Sequence, residues 1–227
     1  NSLDMDEFLQ GLAGELASLA AAAGGLSEVE CAITLHRPRR ADMHAGTTDR
    51  AKMLGTLSGG PGEGLGSAAR QAGRSVLVSN TAEDLRWPTW AAQSLGAGIG
   101  SVLTIALDLE AEACAVIAYL SPVADGFNTK GLRDAELDAS STRPALLLAL
   151  RISAARQEAE DLKQAMTSRT VINLAVGVIM GQQRCSQDEA FAILARAASN
   201  RNRKLRVVAQ ELVMQVTGKG VSTHFGQ

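Results

Sequence analysis

The sequence has 227 residues, of which 46% are apolar and 20% charged, the balance of an ordinary globular chain that buries a core in water. Aromatic residues are only 3%, which argues against a binding surface built on stacked aromatic platforms. The net charge of −2 hides a division: residues 1–150 carry 11 basic and 18 acidic side chains, residues 151–227 carry 11 and 6. An acidic front and a basic rear suggest two jobs, and only the rear suits a phosphate backbone. No apolar run approaches the roughly 18 residues of a membrane span, and no signal-peptide pattern opens the chain. The three cysteines, Cys31, Cys114 and Cys185, are far apart, with no CxxC or Cys/His cluster. That supports neither a zinc site nor a disulfide framework, and it fits reduced thiols in a cytoplasm. A cytoplasmic protein is the expectation.

Residues 3–22 read as a helix, with Met5, Phe8, Leu9, Leu12, Leu16 and Leu19 on one side and Gly24-Gly25 as its end. Val29–Leu35 alternates as a strand does, and Pro38 stops it. Residues 40–58 suggest one weak strand. The glycine-rich run Gly59–Gly66 has neither the Lys-Ser/Thr ending nor the strand–turn–helix frame of a phosphate loop, so it reads as a flexible turn before a helix at 65–72. Ser75–Val78 is a short strand. A polar stretch from Asn80 to Trp90 carries both tryptophans around Pro88, and Ala91–Gly96 is helical. Ser101–Leu107 and Cys114–Leu120 are strong strands on a short connection, which predicts an antiparallel pair. Helix returns over 131–165, with Pro144 either kinking it or beginning it.

This order predicts an α+β fold, an antiparallel sheet with helices packed on it. It resembles a GAF domain, a sensory fold of bacterial regulators. The likeness is carried by Gly62-Glu63-Gly64, by Val76-x-Val78 followed by Asp84-x-Arg86-Trp87-Pro88, by Gly98-x-Gly100-Ser101-Val102-Leu103, and by Ala118-Tyr119-Leu120-Ser121 before Phe127. The resemblance implies a small-molecule pocket beside the sheet, with Trp87 and Trp90 as its candidate lining. Packing of the two tryptophans over the sheet edge is the stronger expectation. No Asn-Lys-Phe-Asp-Glu set of the cyclic-nucleotide type is present, and no haem or bilin ligand stands out, so no cofactor is expected.

Ala145, Leu148, Ile152, Ala155, Ala159, Leu162 and Met166 step alternately by three and four. Arg151, Arg156, Glu158, Glu160, Asp161 and Lys163 lie between them. That is a heptad-like seam with charged flanks, and it predicts a parallel homodimeric coiled coil.

Residues 162–216 read as three amphipathic helices. Met166, Thr170, Val171, Leu174, Val178 and Ile179 give the first a buried face. Gly181 and the polar run after it end that helix. Ser186-Gln187-Asp188-Glu189 is a capping box that opens the second, and Ala190, Phe191, Ile193, Leu194 and Ala197 supply its inner side. Asn202 suits the N-cap of the third, whose stripe is Leu205, Val208, Ala209, Leu212, Val213 and Val216, with Gly218 as its stop. Between Arg196 and Arg206 lie five basic residues (Arg196, Arg201, Arg203, Lys204 and Arg206) and no acidic one. Cations at a helix start oppose its macrodipole, so local stability does not select them there, whereas a polyanionic partner does.

This segment resembles the ANTAR domain, an RNA-binding antiterminator module. The matching residues are Ser168-Arg169, Ile172, Ala175-x-Gly177 and Met180, then Ser186-x-x-Glu189-Ala190-Phe191, Leu194 and Ser199, then Asn202-Arg203-Lys204-Leu205 and Val208-Ala209. Relatives often carry Lys between the Ala and the Gly; this chain has Val176, and lacks whatever interaction that Lys makes. The two resemblances together imply three parts: a GAF-like sensory domain over 1–150, a coiled-coil helical linker over 151–165, and an ANTAR RNA-binding domain over 166–227. They imply a transcription antiterminator that binds a hairpin in a nascent transcript. Phosphates would be held by Arg196, Arg201, Arg203, Lys204 and Arg206. Arg169, Asn173, Ser199 and Asn202 would position the RNA or read base edges. A duplex-DNA regulator and a ligand-sensing interaction module are the alternatives. No catalytic reading competes, because His36, His44 and His224 pair with no nucleophile and the carboxylate pair Glu110/Glu112 sits in a turn.

Overall fold

The computed structural model describes residues 2–59 and 64–218. It divides into two compact units, residues 1–153 and 154–227. In the first unit the order is α1 (Ser2–Gly24), β1 (Glu30–His36), β2 (Met43–Gly46), α2 (Asp49–Gly59), α3 (Leu65–Ala72), β3 (Val76–Val78), α4 (Pro88–Gly96), β4 (Ser101–Asp108), β5 (Cys114–Ser121) and α5 (Thr129–Ser141). The five strands form one antiparallel sheet in the order β2-β1-β5-β4-β3. This is the α+β architecture expected.

β5 is the centre of the sheet, and all of its residues are buried. That is why Cys114–Ser121 reads as a continuous apolar run rather than an alternating one. Ala115, Ile117 and Tyr119 join Cys31, Ile33, Leu35, Leu103 and Ile105 in a core with α1 and α5. Ala118 and Leu120 join Ala32 and Val102 in a second core with Ala51 and Leu54 of α2, Leu65 of α3 and Trp90 of α4. Both faces of the sheet are thus covered by helices.

The second face is built for close approach. A Cβ on Gly55 would fall 2.6 Å from the Ala32 Cβ, so α2 lies nearly in backbone contact with β1. Glu30, almost wholly buried on β1, takes a bidentate contact from Arg50 of α2, at 3.2 Å to Nε and 2.5 Å to Nη2. Nη1 of the same guanidinium donates to the Ala97 carbonyl at 2.9 Å, which ties in the end of α4.

Two expectations fail here. Residues 40–58 hold not only the short strand β2 but also the helix α2. Its inward positions Ala51, Gly55 and Ser58 are small, so the apolar periodicity that announces a helix is faint. The predicted helix over 131–165 is two helices, α5 and α6 (Arg143–Gln183), separated at Thr142. Thr142 donates from Oγ1 to the Ala139 carbonyl at 2.6 Å and accepts the first bond of α6 from Leu146 at 3.0 Å. Pro144 begins the second helix rather than kinking it, since an amide in the first turn has no partner to lose. Gly60, Pro61, Gly62 and Glu63 of the glycine-rich run, and with them two GAF-like matches, lie outside the described residues.

α6 continues without interruption to Gln183 and supplies the first helix of the second unit, followed by α7 (Gln187–Asn200) and α8 (Leu205–Thr217). Their core is Val171, Ala175, Val176 and Ile179 of α6, Ala190, Leu194 and Ala198 of α7, and Val208, Ala209 and Val213 of α8. Several residues read as core are outside it: Met166, Leu174, Phe191, Ile193 and Val216 are exposed. The core takes only one narrow stripe from each helix, so flanking positions of the right period remain in water.

Gly55→Val will force α2 off β1. Overpacking of this kind costs about 1–3 kcal/mol, more than the helix propensity a side chain gains over glycine, so thermal unfolding of the full chain will show the first unit melting earlier.

Candidate nucleic-acid interface

The second unit presents its cations through the turn between α7 and α8. α7 starts at Ser186, whose hydroxyl accepts from the Glu189 amide at 3.4 Å while Glu189 Oε2 accepts from the Ser186 amide at 2.8 Å. The capping box is present. These bonds from Ser186 hold the Glu189 carboxyl below its ordinary range.

α7 ends in a Schellman arrangement. Asn202 lies in the left-handed region at φ 48°, the Asn202 amide donates to Ser199 at 3.0 Å, and the Arg203 amide donates to Ala198 at 3.0 Å. This corrects the role expected for Asn202. The N-cap of α8 is Lys204, extended at φ −61° and ψ 135°, with no side-chain cap. Asn tolerates the left-handed conformation better than most residues, and here that property ends one helix instead of starting the next. α8 closes at Gly218 (φ 66°), whose amide returns to Met214 at 2.9 Å.

Arg196, Ser199, Arg201, Asn202, Arg203, Lys204 and Arg206 are all exposed. The turn gathers Arg201 through Lys204 in sequence, with Ser199 half a turn before. Arg169 and Asn173 are exposed one turn apart on α6, and among the described residues no hydrogen bond or ion pair joins them to the α7–α8 turn. Arg196, Lys204 and Arg206 have no ion-pair partner among the described residues. Arg201 and Arg203 do: both reach Glu211 of α8, Arg203 Nη1 at 2.6 Å and Arg201 Nη1 at 3.9 Å. Glu211 is invisible to sequence reasoning as a site residue, because it lies beyond the basic run and its partners precede the helix, outside any helical spacing. Val176 is almost fully buried among Val171, Ala175 and Ile179. Its place in the core accounts for an apolar side chain there.

The first unit has a groove of about 620 Å³ lined by α2, α3, α4 and the segment before α4, with Leu57, Ala68, Trp87, Pro88 and Trp90 among its apolar walls and Gln71, Arg86 and Gln93 among its polar ones. Trp90 is both core and wall: it is buried, and its Nε1 donates to Ser58 Oγ at 2.7 Å. Trp87 is partly buried, with the Arg86 guanidinium 4.5 Å from its ring centre. Arg86 is itself held by Asp84, at 2.9 and 2.5 Å, and donates to the Leu77 carbonyl at 2.9 Å. Burial opposes ionisation of Asp84, but the bonds from Arg86 prevail and leave its carboxyl below the ordinary range. The Asp84-x-Arg86-Trp87-Pro88 motif is thus a self-locked wall, with Pro88 opening α4. Among the described residues no three His, Cys, Asp or Glu side chains could hold a metal ion, and no helix is long and apolar enough to cross a membrane.

The architecture is a helix-covered antiparallel sheet followed by a three-helix unit. Residues 160–213 match the family model for the ANTAR domain. The chain therefore carries an ANTAR domain, the module of RNA-binding antitermination regulators, after its antiparallel-sheet unit. ANTAR domains are regulatory rather than catalytic. No curated protein matches the chain. Among solved structures, it is similar to a domain of a putative two-component sensor histidine kinase from Sinorhizobium meliloti, at 12% identity and a TM-score of 0.49, covering 66% of this chain and 97% of that one. It is similar to the GAF domain region of a putative membrane protein from Geobacter sulfurreducens, at 18% identity and TM-score 0.44, covering 66% and 92%. It is also similar to CepR2, an N-acylhomoserine-lactone-dependent LuxR-family transcription factor from Burkholderia cenocepacia, at 14% identity and TM-score 0.45, covering 57% and 81%. At this distance the likenesses name neither a ligand nor a partner.

Ser186→Ala removes the hydroxyl that caps α7 and will cost the second unit about 1 kcal/mol. Acid will weaken the same cap. The folded Glu189 carboxyl titrates below its unfolded value, so its contribution is present above the ordinary carboxylate range and disappears as pH falls through the folded pKa. Urea unfolding of wild type and variant across pH checks both statements.

Proposed function

We propose that the chain is a cytoplasmic, signal-responsive transcription antiterminator that binds a hairpin in a nascent RNA and prevents a terminator from forming. The observation that carries this reading is the exposed basic turn of an ANTAR domain. Arg196, Lys204 and Arg206 have no ion-pair partner among the described residues, and Lys204 sits as a cation at the N-cap of α8, where the macrodipole disfavours it. A phosphate backbone supplies the missing counter-charge. Arg169, Asn173, Ser199 and Asn202 add hydrogen-bonding groups suited to the unstacked bases of a loop. Trp87 and Trp90 would line the site of a small-molecule signal in the first unit.

Arg203→Ala combined with Lys204→Ala will weaken binding of stem-loop RNA and lower the slope of log affinity against log salt by about two, one for each phosphate no longer neutralised. An unchanged slope overturns the assignment, and stronger retention of duplex DNA than of RNA in competition moves it to a DNA regulator.

The working form in this reading is a parallel dimer. The seven seam positions Ala145, Leu148, Ile152, Ala155, Ala159, Leu162 and Met166 are all exposed along α6, and the four large ones are 43–61% exposed. A second copy of the same seam, flanked by its own Glu, Asp, Lys and Arg side chains, covers such a stripe by knobs-into-holes packing. Ile152→Glu with Leu162→Glu will shift the chain from dimer to monomer in sedimentation while leaving its helical circular dichroism largely intact. A wild-type monomer at the concentrations where RNA binds refutes the dimer.

A further inference from the structure

Arg201 and Arg203 are claimed by RNA in the reading above, yet in the free protein they are already on a carboxylate. Arg203 Nη1 donates to Glu211 Oε1 at 2.6 Å, and Arg201 Nη1 lies 3.9 Å from Glu211 Oε2. One guanidinium addresses each oxygen of a single anion. A phosphate placed between the two arginines would be met in the same way, because both anions offer paired oxygens to a planar fork of donors. Glu211 is also the sole acidic residue between Ala190 and the end of the sequence, so the negative charge in this basic region is concentrated at one side chain.

The pair is not a stability device. Arg201, Arg203 and Glu211 are each more than a third exposed, and exposed pairs of this kind contribute little to folding. It is not a helix-surface pair at i, i+4 either, since both arginines precede α8 while Glu211 is in its second turn. The Schellman turn already satisfies the local backbone, so neither guanidinium is needed for capping.

We infer that Glu211 is an internal stand-in for an RNA phosphate and competes with it for Arg201 and Arg203. Binding exchanges one anion for the other: the guanidiniums leave the carboxylate and take the phosphate, and the freed carboxylate repels phosphates nearby. The competitor lowers affinity by the same free energy for every polyanion that must displace it. A transcript that also satisfies Arg169, Asn173, Ser199 and Asn202 can offset the exchange; a loosely held one cannot. Glu211 thereby sets the threshold of interaction energy that a bound transcript must exceed. The inference rests on the RNA-binding reading of this surface, and the experiment separates the two.

The full-length chain is compared with Glu211→Gln, Arg201→Ala with Arg203→Ala, and the triple variant, by salt elution from heparin and by titration of a labelled stem-loop RNA, with circular dichroism to confirm folding. The Gln variant will elute from heparin at higher salt than wild type. It will bind the RNA about three- to tenfold more tightly at low salt, as release of two exposed pairs allows, with a salt slope steeper by about one. In the Arg-less background the same substitution will have little effect. An unchanged or weaker Gln variant overturns the inference and makes Glu211 a clamp that positions the arginines. An equal gain with and without the arginines also overturns it, since that is a general charge effect. The expected heparin pattern with no RNA bound by any variant leaves the competitor in place and removes RNA as its opponent.

Discussion

The second unit depends on a turn whose backbone satisfies itself. The carbonyls of Ala198 and Ser199 are taken by the amides of Arg203 and Asn202, two residues into the connection. A helix end normally needs side chains or water to meet its orphan groups. Here the backbone meets them through one left-handed residue, and the side chains from Ser199 to Lys204 are released from structural duty. Leu205, Val208 and Ala209 then return the chain to the core. The result is a short run of cations fixed by backbone geometry while their heads stay in water.

That arrangement has a local cost, and the cost is informative. α8 starts on Lys204 without a side-chain cap, although Asn202 stands two residues earlier. A good cap is typically worth about 1 kcal/mol, and a cation in the first turn forfeits a few tenths more. α7 shows the opposite choice, with a reciprocal capping box and two carboxylates in its first turn. One helix start in this unit follows the rules of stability and the other departs from them. Departures of that kind concentrate where a surface serves a partner.

Much of this is legible in the sequence, and each failure has its own physical origin. β4 and β5 announce themselves because burial on both faces leaves no polar alternation to misread. The capping box at Ser186 announces α7 because its four residues interact only with one another. α2 escapes detection because a helix pressed against a strand needs Gly55 and Ala51 at its contact, and small residues carry almost no periodic signal. Asn202 is easily misplaced because Asn suits both a cap and a left-handed turn, and only the preceding carbonyls decide between them. Phe191 and Leu174 read as inward because period alone cannot say how wide a buried stripe will be. Glu211 goes unnoticed because its partners reach it through a reversal in the chain, which no linear spacing encodes. The basic surface is readable as charge; its internal counter-charge is not.

α6 poses the remaining question of what its exposed apolar stripe is for. Leu148, Ile152, Leu162 and Met166 repeat at a period near 3.5, and together with Ala145, Ala155 and Ala159 they lie in water. A helix that served only its own units would carry polar residues on that side, since solvation of such a stripe returns nothing. Farther along, the same helix buries Val171, Ala175, Val176 and Ile179 in the ANTAR core. So α6 changes from a seam that faces outward to a face that is covered, without a break in its backbone between Arg143 and Gln183. The alanines in the middle of the seam leave room for helices to approach closely but contribute little burial, while the leucines, isoleucine and methionine at its ends contribute most. In the dimer proposed above, a stripe built this way would hold weakly in the centre and respond to register, which suits a connection that relays a signal more than one that only holds two chains together.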